Sequence, residues 1–287
     1  MYEVPGHKPP TVRLRRLAKE MTRLREAAGF ESKEAAAERV HMDPSSLWRL
    51  ETAKNRPLRR TVLVLLELYG VVKEEDQRKY LELLAKSNEL NWLTPYEEAV
   101  SEDYQTYISF EADAARLTGA ETAFVPGLLQ TPDYARALIR GLHPSLPEED
   151  VSRRAEVRAR RQEVLAAKGT ALWMVLDEAT LHHAVGGPDV MRAQLDRLLQ
   201  EDAKRIVLQV VPFSIGAHPA SLGSFIIMDF PEPDPSLVYI ETLTGSLFLE
   251  QPEEVALHRQ NFEHLIARAL SPAETRKMIT ARRKDFE

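Results

Sequence analysis

The sequence predicts an α+β chain, with an all-α helix-turn-helix bundle over residues 1–93 and a mixed α/β domain over residues 94–287. Three observations support this prediction. Apolar residues recur at three- and four-residue steps in the first part, and short β-like runs alternate with helical stretches in the second. The charge also changes sign. Residues 1–72 hold 14 Lys and Arg against 9 Asp and Glu, whereas the other 215 residues hold 24 against 35. A basic head on an acidic body is typical of a nucleic-acid-binding segment joined to a domain with another role.

Five helices account for the N-terminal part. The first is predicted over residues 11–28, with Gly29 as its end. Two short helices follow within 32–57, and two more are expected at 58–70 and 74–90, the last with Leu90 among its inward residues. The polar side of the first helix is interpreted as a solvated face from which a few side chains could touch phosphates. It carries Arg13, Arg15, Arg16, Arg23 and Arg25.

The segment 32–57 predicts two helices joined by a sharp turn. Ser32 can cap the first, and Asp43 followed by Pro44 is a strong start signal for the second. The second helix would leave a short polar face with one aromatic and one guanidinium group, which suits the major groove of duplex DNA. The alternative is a pair of packed surface helices without a DNA role. The predicted DNA-binding residues are Lys33, Ser45, Ser46, Trp48, Arg49 and Arg56.

This segment resembles the helix-turn-helix of lambda-repressor-like, Xre-type regulators. The small residue of their first helix matches Ala37, their recognition-helix pattern matches SSLWRLE at 45–51, and their closing proline matches Pro57. The chain departs from the family in having His41 and Ala53 where glycine is usual. A left-handed backbone at His41 would cost about 1 kcal/mol more than at glycine.

The C-terminal part predicts five strands among four helices. We place the boundary near Pro95, and the PEPDP turn predicts an antiparallel hairpin between the third and fourth strands. The strands are expected at 171–176, 205–211, 224–230, 237–241 and 246–250, and the helices at 132–142, 148–167, 188–201 and 253–270.

The C-terminal part resembles the uncharacterised domain attached to helix-turn-helix heads in the WhiJ-like regulators of actinobacteria. The matching motifs include FVPGLLQT at 124–131, VGGPDVMRAQL at 185–195, VVPFSIGAHP at 210–219 and TGSLFLE at 244–250. The resemblance implies a transcriptional regulator, often encoded beside a small partner protein and described as antitoxin-like. It implies no established enzymatic activity.

Two loops, 124–131 and 213–225, are the candidate binding site of this domain, because Gly, Pro and polar residues cluster there between apolar strands. The alternative is ordinary turn chemistry, with Thr131 merely capping the next helix. The predicted ligand- or partner-binding residues are Gln130, Thr131, Tyr134, His218 and Ser224.

Other candidate chemistry is weaker. Glu178 with His182 and His183 has metal-ligand spacing, but a convincing third ligand is missing. In the run 152–162, three arginines share a helical face, interpreted as solvated or ion-paired, or else as a dimer or acidic-partner surface: Arg154, Arg158 and Arg161.

Several function classes are disfavoured. The chain has no cysteine, so it has neither disulfides nor a thiol nucleophile, and it has no Walker-type loop, G-x-G-x-x-G or G-x-S-x-G motif. No apolar run approaches 18 residues and the first ten residues lack a signal core, so a cytoplasmic location without a membrane partner is expected. We expect no metal, no cofactor and no enzymatic activity.

Three functional interpretations stay open at this stage. The favoured one is a homodimeric regulator that binds double-stranded DNA and senses a small-molecule ligand or a protein. The second is an antitoxin-type protein that sequesters a small partner encoded nearby. The third is an enzyme with a DNA-targeting head.

Overall fold

A computed structural model of the chain describes residues 11–86, 91–201 and 204–286. The chain forms two compact units: Met1–Glu97 with Tyr104–Asp113, and Glu98–Asp103 with Ala114–Glu287. The sequence had suggested one boundary, between residues 93 and 94. The segment 104–113 belongs to the first unit because its side chains contact the first helix: Asp113 Oδ1 lies 3.1 Å from Arg13 Nε, and the Arg15 guanidinium lies 4.5 Å from the centre of the Phe110 ring.

The described residues of the first unit form helices and no strand, as predicted. Its α-helices are α1 (Val12–Ala27), α2 (Lys33–Arg39), α3 (Pro44–Glu51), α4 (Arg59–Leu68), α5 (Glu74–Lys86) and, after a 3-10 segment at Asn91–Ala99, α6 (Glu102–Asp113). Residues 87–90, including the predicted inward Leu90, lie outside the described residues. The core contains Leu17, Met21, Leu47, Leu65 and Leu66, all fully buried.

The second unit contains a six-stranded mixed sheet. The strands are β1 (Arg116–Glu121), β2 (Ala171–Asp177), β3 (Ile206–Val211), β4 (Phe225–Asp229), β5 (Leu237–Thr242) and β6 (Gly245–Leu249). Their order is β3-β2-β1-β4-β5-β6; β1, β2 and β3 are parallel, and the other pairs are antiparallel. The fold class is therefore α+β, as predicted, and the hairpin around the PEPDP turn is confirmed.

The central strand β1 was not predicted. Its sequence, RLTGAE, has neither a β-branched run nor a clear alternation. Gly119 is required there because a Cβ atom at this position would collide with the carbonyl oxygen of Phe225 on β4. The close approach of two backbones, rather than local propensity, explains this strand.

The described residues of the second unit also form five α-helices: α7 (Pro132–Leu142), α8 (Glu148–Lys168), α9 (Pro188–Gln200), α10 (Pro252–Arg268) and α11 (Pro272–Lys284). Helix α11 was not predicted, although Ser271 and Glu274 form a reciprocal capping box at its start. Around it the outer edge of β3 is covered: Val210 N donates to Thr275 Oγ1 at 3.0 Å, and Leu270 N donates to Val210 O at 2.8 Å.

The strand directions place several loops at one edge of the sheet. Strands β1, β2 and β3 end there, and β4, antiparallel to β1, begins there. We call it the carboxyl edge, and in open α/β sheets this edge is the usual place for ligands. Both predicted binding loops border it. Within the described residues no helix is long and apolar enough to cross a membrane.

Candidate functional sites

Helices α2 and α3 form the predicted helix-turn-helix. Ser32 Oγ accepts from Ala35 N at 3.1 Å, and Asp43 Oδ1 accepts from Ser45 N at 2.9 Å and Ser46 N at 3.2 Å. The side-chain hydrogen bond from Ser45, supported by these backbone bonds, lowers the pKa of Asp43. The cap thus stays ionised at the start of α3, where negative charge is favourable.

The two positions that lack the usual glycine are left-handed. His41 has φ 51° and Ala53 has φ 55°. Both lie at the ends of short helices, where glycine is the common residue because a Cβ atom disfavours this conformation. The steric cost considered at His41 is therefore present in the fold, and Ala53 carries the same cost.

The outward face of α3 carries Ser45, Trp48 and Thr52, which are exposed, while Leu47 and Leu50 are buried. Ser46 and Arg49 are half-buried beside this face, and Arg49 Nη2 donates to Ser46 Oγ at 3.0 Å. The residues predicted from the sequence therefore lie along one accessible side of the helix.

The two remaining predicted DNA-binding residues differ. Lys33 begins α2 and its Nζ lies 3.9 Å from Glu51 Oε2, with its side chain about one-third exposed. Together with Ser32, Pro44, Ser45 and Trp48 it lines a cleft of about 360 Å³. Arg56 donates from Nη2 to Leu84 O at 2.8 Å, so part of its guanidinium holds the C-terminal half of α5.

Among the α1 arginines that were interpreted as a solvated face, Arg13, Arg15 and Arg16 are half-buried and Arg25 is buried. The Arg25 side chain is 4% exposed and its Nε donates to Glu51 Oε1, itself 1% exposed, at 2.9 Å. Its Nη1 also donates to Phe30 O at 2.6 Å. Arg25 therefore connects α1 to the end of α3 and positions the helix-turn-helix. The sequence around Arg25 did not predict this role.

In the second unit, three predicted binding residues form an internal network. Gln130 donates from Nε2 to Val125 O at 2.7 Å and accepts from Arg158 Nη1 at 2.6 Å. Tyr134 is fully buried and its hydroxyl accepts from Val125 N at 3.2 Å. Thr131 Oγ1 accepts from Tyr134 N at 3.3 Å as the cap of α7. These contacts fix the loop 124–131 from the inside.

The side chain of Glu121, a half-buried residue that the sequence did not single out, lies beside this network. Burial raises the pKa of Glu121 to about 7, and Glu241 adds to the rise, while a hydrogen bond from Ser224 and the charge of Arg158 oppose it. Burial also raises the pKa of Tyr134 to about 12, and the charges of Arg158 and Glu121 act on this hydroxyl as well. The predicted residues Gln130, Tyr134 and Ser224 thus meet around Glu121 and Arg158. Glu121 was missed because β1 was missed.

His218 lies apart from this group, against the end of β2. Its Nε2 is 3.1 Å from Asp177 Oδ2, and its side chain is only 5% exposed. Its Nδ1 is buried and has no hydrogen-bond partner among the residues that the structure describes. Asp177 also accepts from Ala179 N at 2.7 Å, so the pair holds the loop after β2.

The three residues suggested as metal ligands contact each other or the backbone instead. Glu178 approaches His182 Nε2 at 3.3 Å and accepts from Phe213 N at 2.8 Å, whereas His183 Nδ1 contacts Ala123 O at 2.8 Å. Over residues 11–86, 91–201 and 204–286 there is no group of three or more side chains that could hold a metal ion.

The basic face of α8 is directed inward. Arg154 Nε donates to Ala99 O at 2.7 Å, Arg158 bonds Gln130, and Arg161 is 4% exposed. The three arginines are bonded or buried within the unit, which contradicts the interpretation of this face as solvated, whereas the interpretations as an ion-paired face or a partner surface stay predictions. The loop 124–131 lies against α8, because Gln130 in this loop accepts a hydrogen bond from Arg158.

Comparison with protein-family models accounts for most of the chain. Residues 104–281 match a model described as a domain of unknown function, DUF5753. The chain belongs to the DUF5753 family. Residues 16–79 match a second model, described as a helix-turn-helix domain. The DUF5753 match includes the whole sheet, and the helix-turn-helix match includes α2 and α3. Neither a curated protein nor a solved structure matches the chain. The helix-turn-helix domain supports a role as a DNA-binding transcription regulator.

Proposed function

We propose that this protein is a sequence-specific, cytoplasmic regulator of the Xre type that binds double-stranded DNA as a homodimer. The observation that carries the proposal is the outward face of α3, where Ser45, Trp48 and Thr52 are exposed beside the Ser46–Arg49 pair. A short helix with hydroxyl, indole and guanidinium groups on its accessible side is suited to a major groove, and Lys33 is available for a phosphate.

Selection of duplexes from a random library with the full-length chain tests this proposal. We expect Arg49→Ala to weaken binding to the selected duplex by about 1–3 kcal/mol at matched salt, because a guanidinium that bonds a base edge contributes about that much. Arg160→Ala is the matched control, since Arg160 is exposed on α8 and pairs with Glu163. Failure to enrich any duplex, or equal affinity of Arg49→Ala and wild type, would contradict the proposal.

We also propose that the DUF5753 domain is a binding module without catalytic turnover, and that its site borders the carboxyl edge. The raised pKa of Glu121 at that edge, near the Arg158–Gln130 hydrogen bond, supports it, since titratable groups with shifted pKa values are common at functional sites. An occupant could act by favouring one arrangement of the two DNA-binding heads, which requires different affinities for the two arrangements.

An antitoxin-type role of the WhiJ-like kind is the second candidate, and one observation favours it. Large apolar side chains on loops at the carboxyl edge are exposed: Phe213 by 56%, Leu222 by 97% and Leu243 by 104%. Exposed apolar groups suit a protein partner better than a small molecule. Co-expression of the chain with the products of adjacent genes, followed by native mass spectrometry, distinguishes the candidates. Replacing Leu222 and Leu243 with serine should abolish a protein complex and leave binding of a small molecule unchanged.

A further inference from the structure

Trp48 is unusual on the outward side of α3. It is 42% exposed, whereas the aliphatic residues of the same helix, Leu47 and Leu50, are at most 3% exposed. The ring lies between Ser45 and Thr52, one helical turn away on either side. A large apolar ring is therefore presented to solvent in the middle of the surface that the proposed function assigns to DNA.

The ring is held in place from one side. The Lys54 ammonium lies 4.5 Å from the indole centroid, a distance at which the cation is attracted to the ring face. Lys54 reaches this position because Ala53 is left-handed and buried, and because Lys54 N donates to Arg49 O at 2.8 Å. Trp48 also lines the 360 Å³ cleft beside Lys33 and Ser45. With one face covered by a cation, the rest of the ring stays available to a groove.

The major groove offers one apolar feature, the C5-methyl group of thymine, while its other groups are hydrogen-bond donors and acceptors. Hydroxyl and guanidinium groups can bond those donors and acceptors, whereas the carbon surface of an indole gains by covering the methyl group. We propose that Trp48 recognises a thymine methyl in each half-site, so that it determines part of the sequence preference. This inference rests on the proposed DNA-binding function.

The test uses the duplex selected from a random library by the full-length chain. Each thymine is replaced in turn by deoxyuridine, which removes the methyl group and keeps the pairing edge. We expect one position in each half-site at which wild type loses about three- to five-fold in affinity, the effect of burying one methyl-sized group. Trp48→Ala should bind the thymine and deoxyuridine duplexes equally at that position.

Two further variants separate recognition from folding. Trp48→Phe keeps an apolar ring and should retain part of the discrimination, while its circular dichroism and melting temperature report the fold. Val64→Ala, at a residue of α4 that is 44% exposed, should discriminate like wild type. If wild type binds the selected duplex but tolerates deoxyuridine at every position, or if Trp48→Ala keeps the full penalty, the inference is wrong and the proposed function stands. If no duplex is enriched, both are wrong.

Discussion

The two candidate sites arrange their polar side chains in opposite ways. On α3, Ser45 and Thr52 are exposed, and Arg49 donates to Ser46 on the same helix. At the carboxyl edge, Gln130 and Tyr134 are buried, and their hydrogen bonds join segments that are distant in the chain. An exposed set can be exchanged without disturbing the fold, because water replaces the missing partner. A buried set cannot, because each loss leaves a polar group unsatisfied. Side chains on the outward face of α3 can therefore change while the carboxyl edge keeps its network.

The first unit also contains a buried charged residue, Arg25, and its removal should cause the largest loss of stability among these predictions. Arg25→Ala leaves the buried Glu51 carboxylate without its guanidinium partner, and breaking a buried ion pair in this way costs about 3–5 kcal/mol. Urea denaturation of the full-length chain measures this loss. Arg23→Ala is the matched control, because Arg23 is mostly exposed, pairs with Glu20 on the same helix and should matter little. Equal stabilities of the two variants would contradict the distinction between inward and outward charges.

Glu121 should give the second unit a pH dependence that the face of α3 lacks. Its pKa in the folded chain is about 7 against 4.5 for the free group, so the folded state binds more protons between these values. Stability should therefore decrease as pH rises from about 4.5 to 7 and then level off.

Glu121→Gln should remove this decrease and stabilise the chain by about 1–3 kcal/mol at pH 8, since the amide remains neutral at every pH. Melting temperatures from pH 5 to 8 provide the measurement, with Glu163→Gln on the exposed side of α8 as the control. A wild-type stability that stays constant over this range would show that Glu121 is not held in an unfavourable environment.

The smallest expected effect concerns the turn before α3. His41→Gly should stabilise the first unit by about 0.5–1 kcal/mol, because glycine adopts φ 51° without the steric cost of a Cβ atom. His41 is exposed, so few contacts are lost. Chemical denaturation gives the value, and DNA affinity should be unchanged. A destabilised His41→Gly variant would indicate that the imidazole makes contacts that outweigh the backbone strain.

Much of the first unit could be predicted because its signals are local. The caps at Ser32 and Asp43 bond to amides two or three residues ahead, and the apolar stripe of α1 repeats within one or two helical turns. The candidate DNA surface follows directly from that periodicity, since burial of one side of α3 defines the side that remains outside.

The sequence by itself thus determined the helices from α1 to α5 and from α7 to α10, five of the six strands and the residues on the outward face of α3, whereas α6 and α11 were not predicted. Only the tertiary structure decided which charges are buried. Arg25 meets Glu51 across 26 residues and Arg158 meets Gln130 across 28, and an arginine on a helix has the same local signature whether its partner is water or a buried side chain. The strand β1 depended on long-range contacts in the same way. Gly119 disfavours a strand locally, and it is tolerated because the backbone of β4 approaches too closely for any side chain.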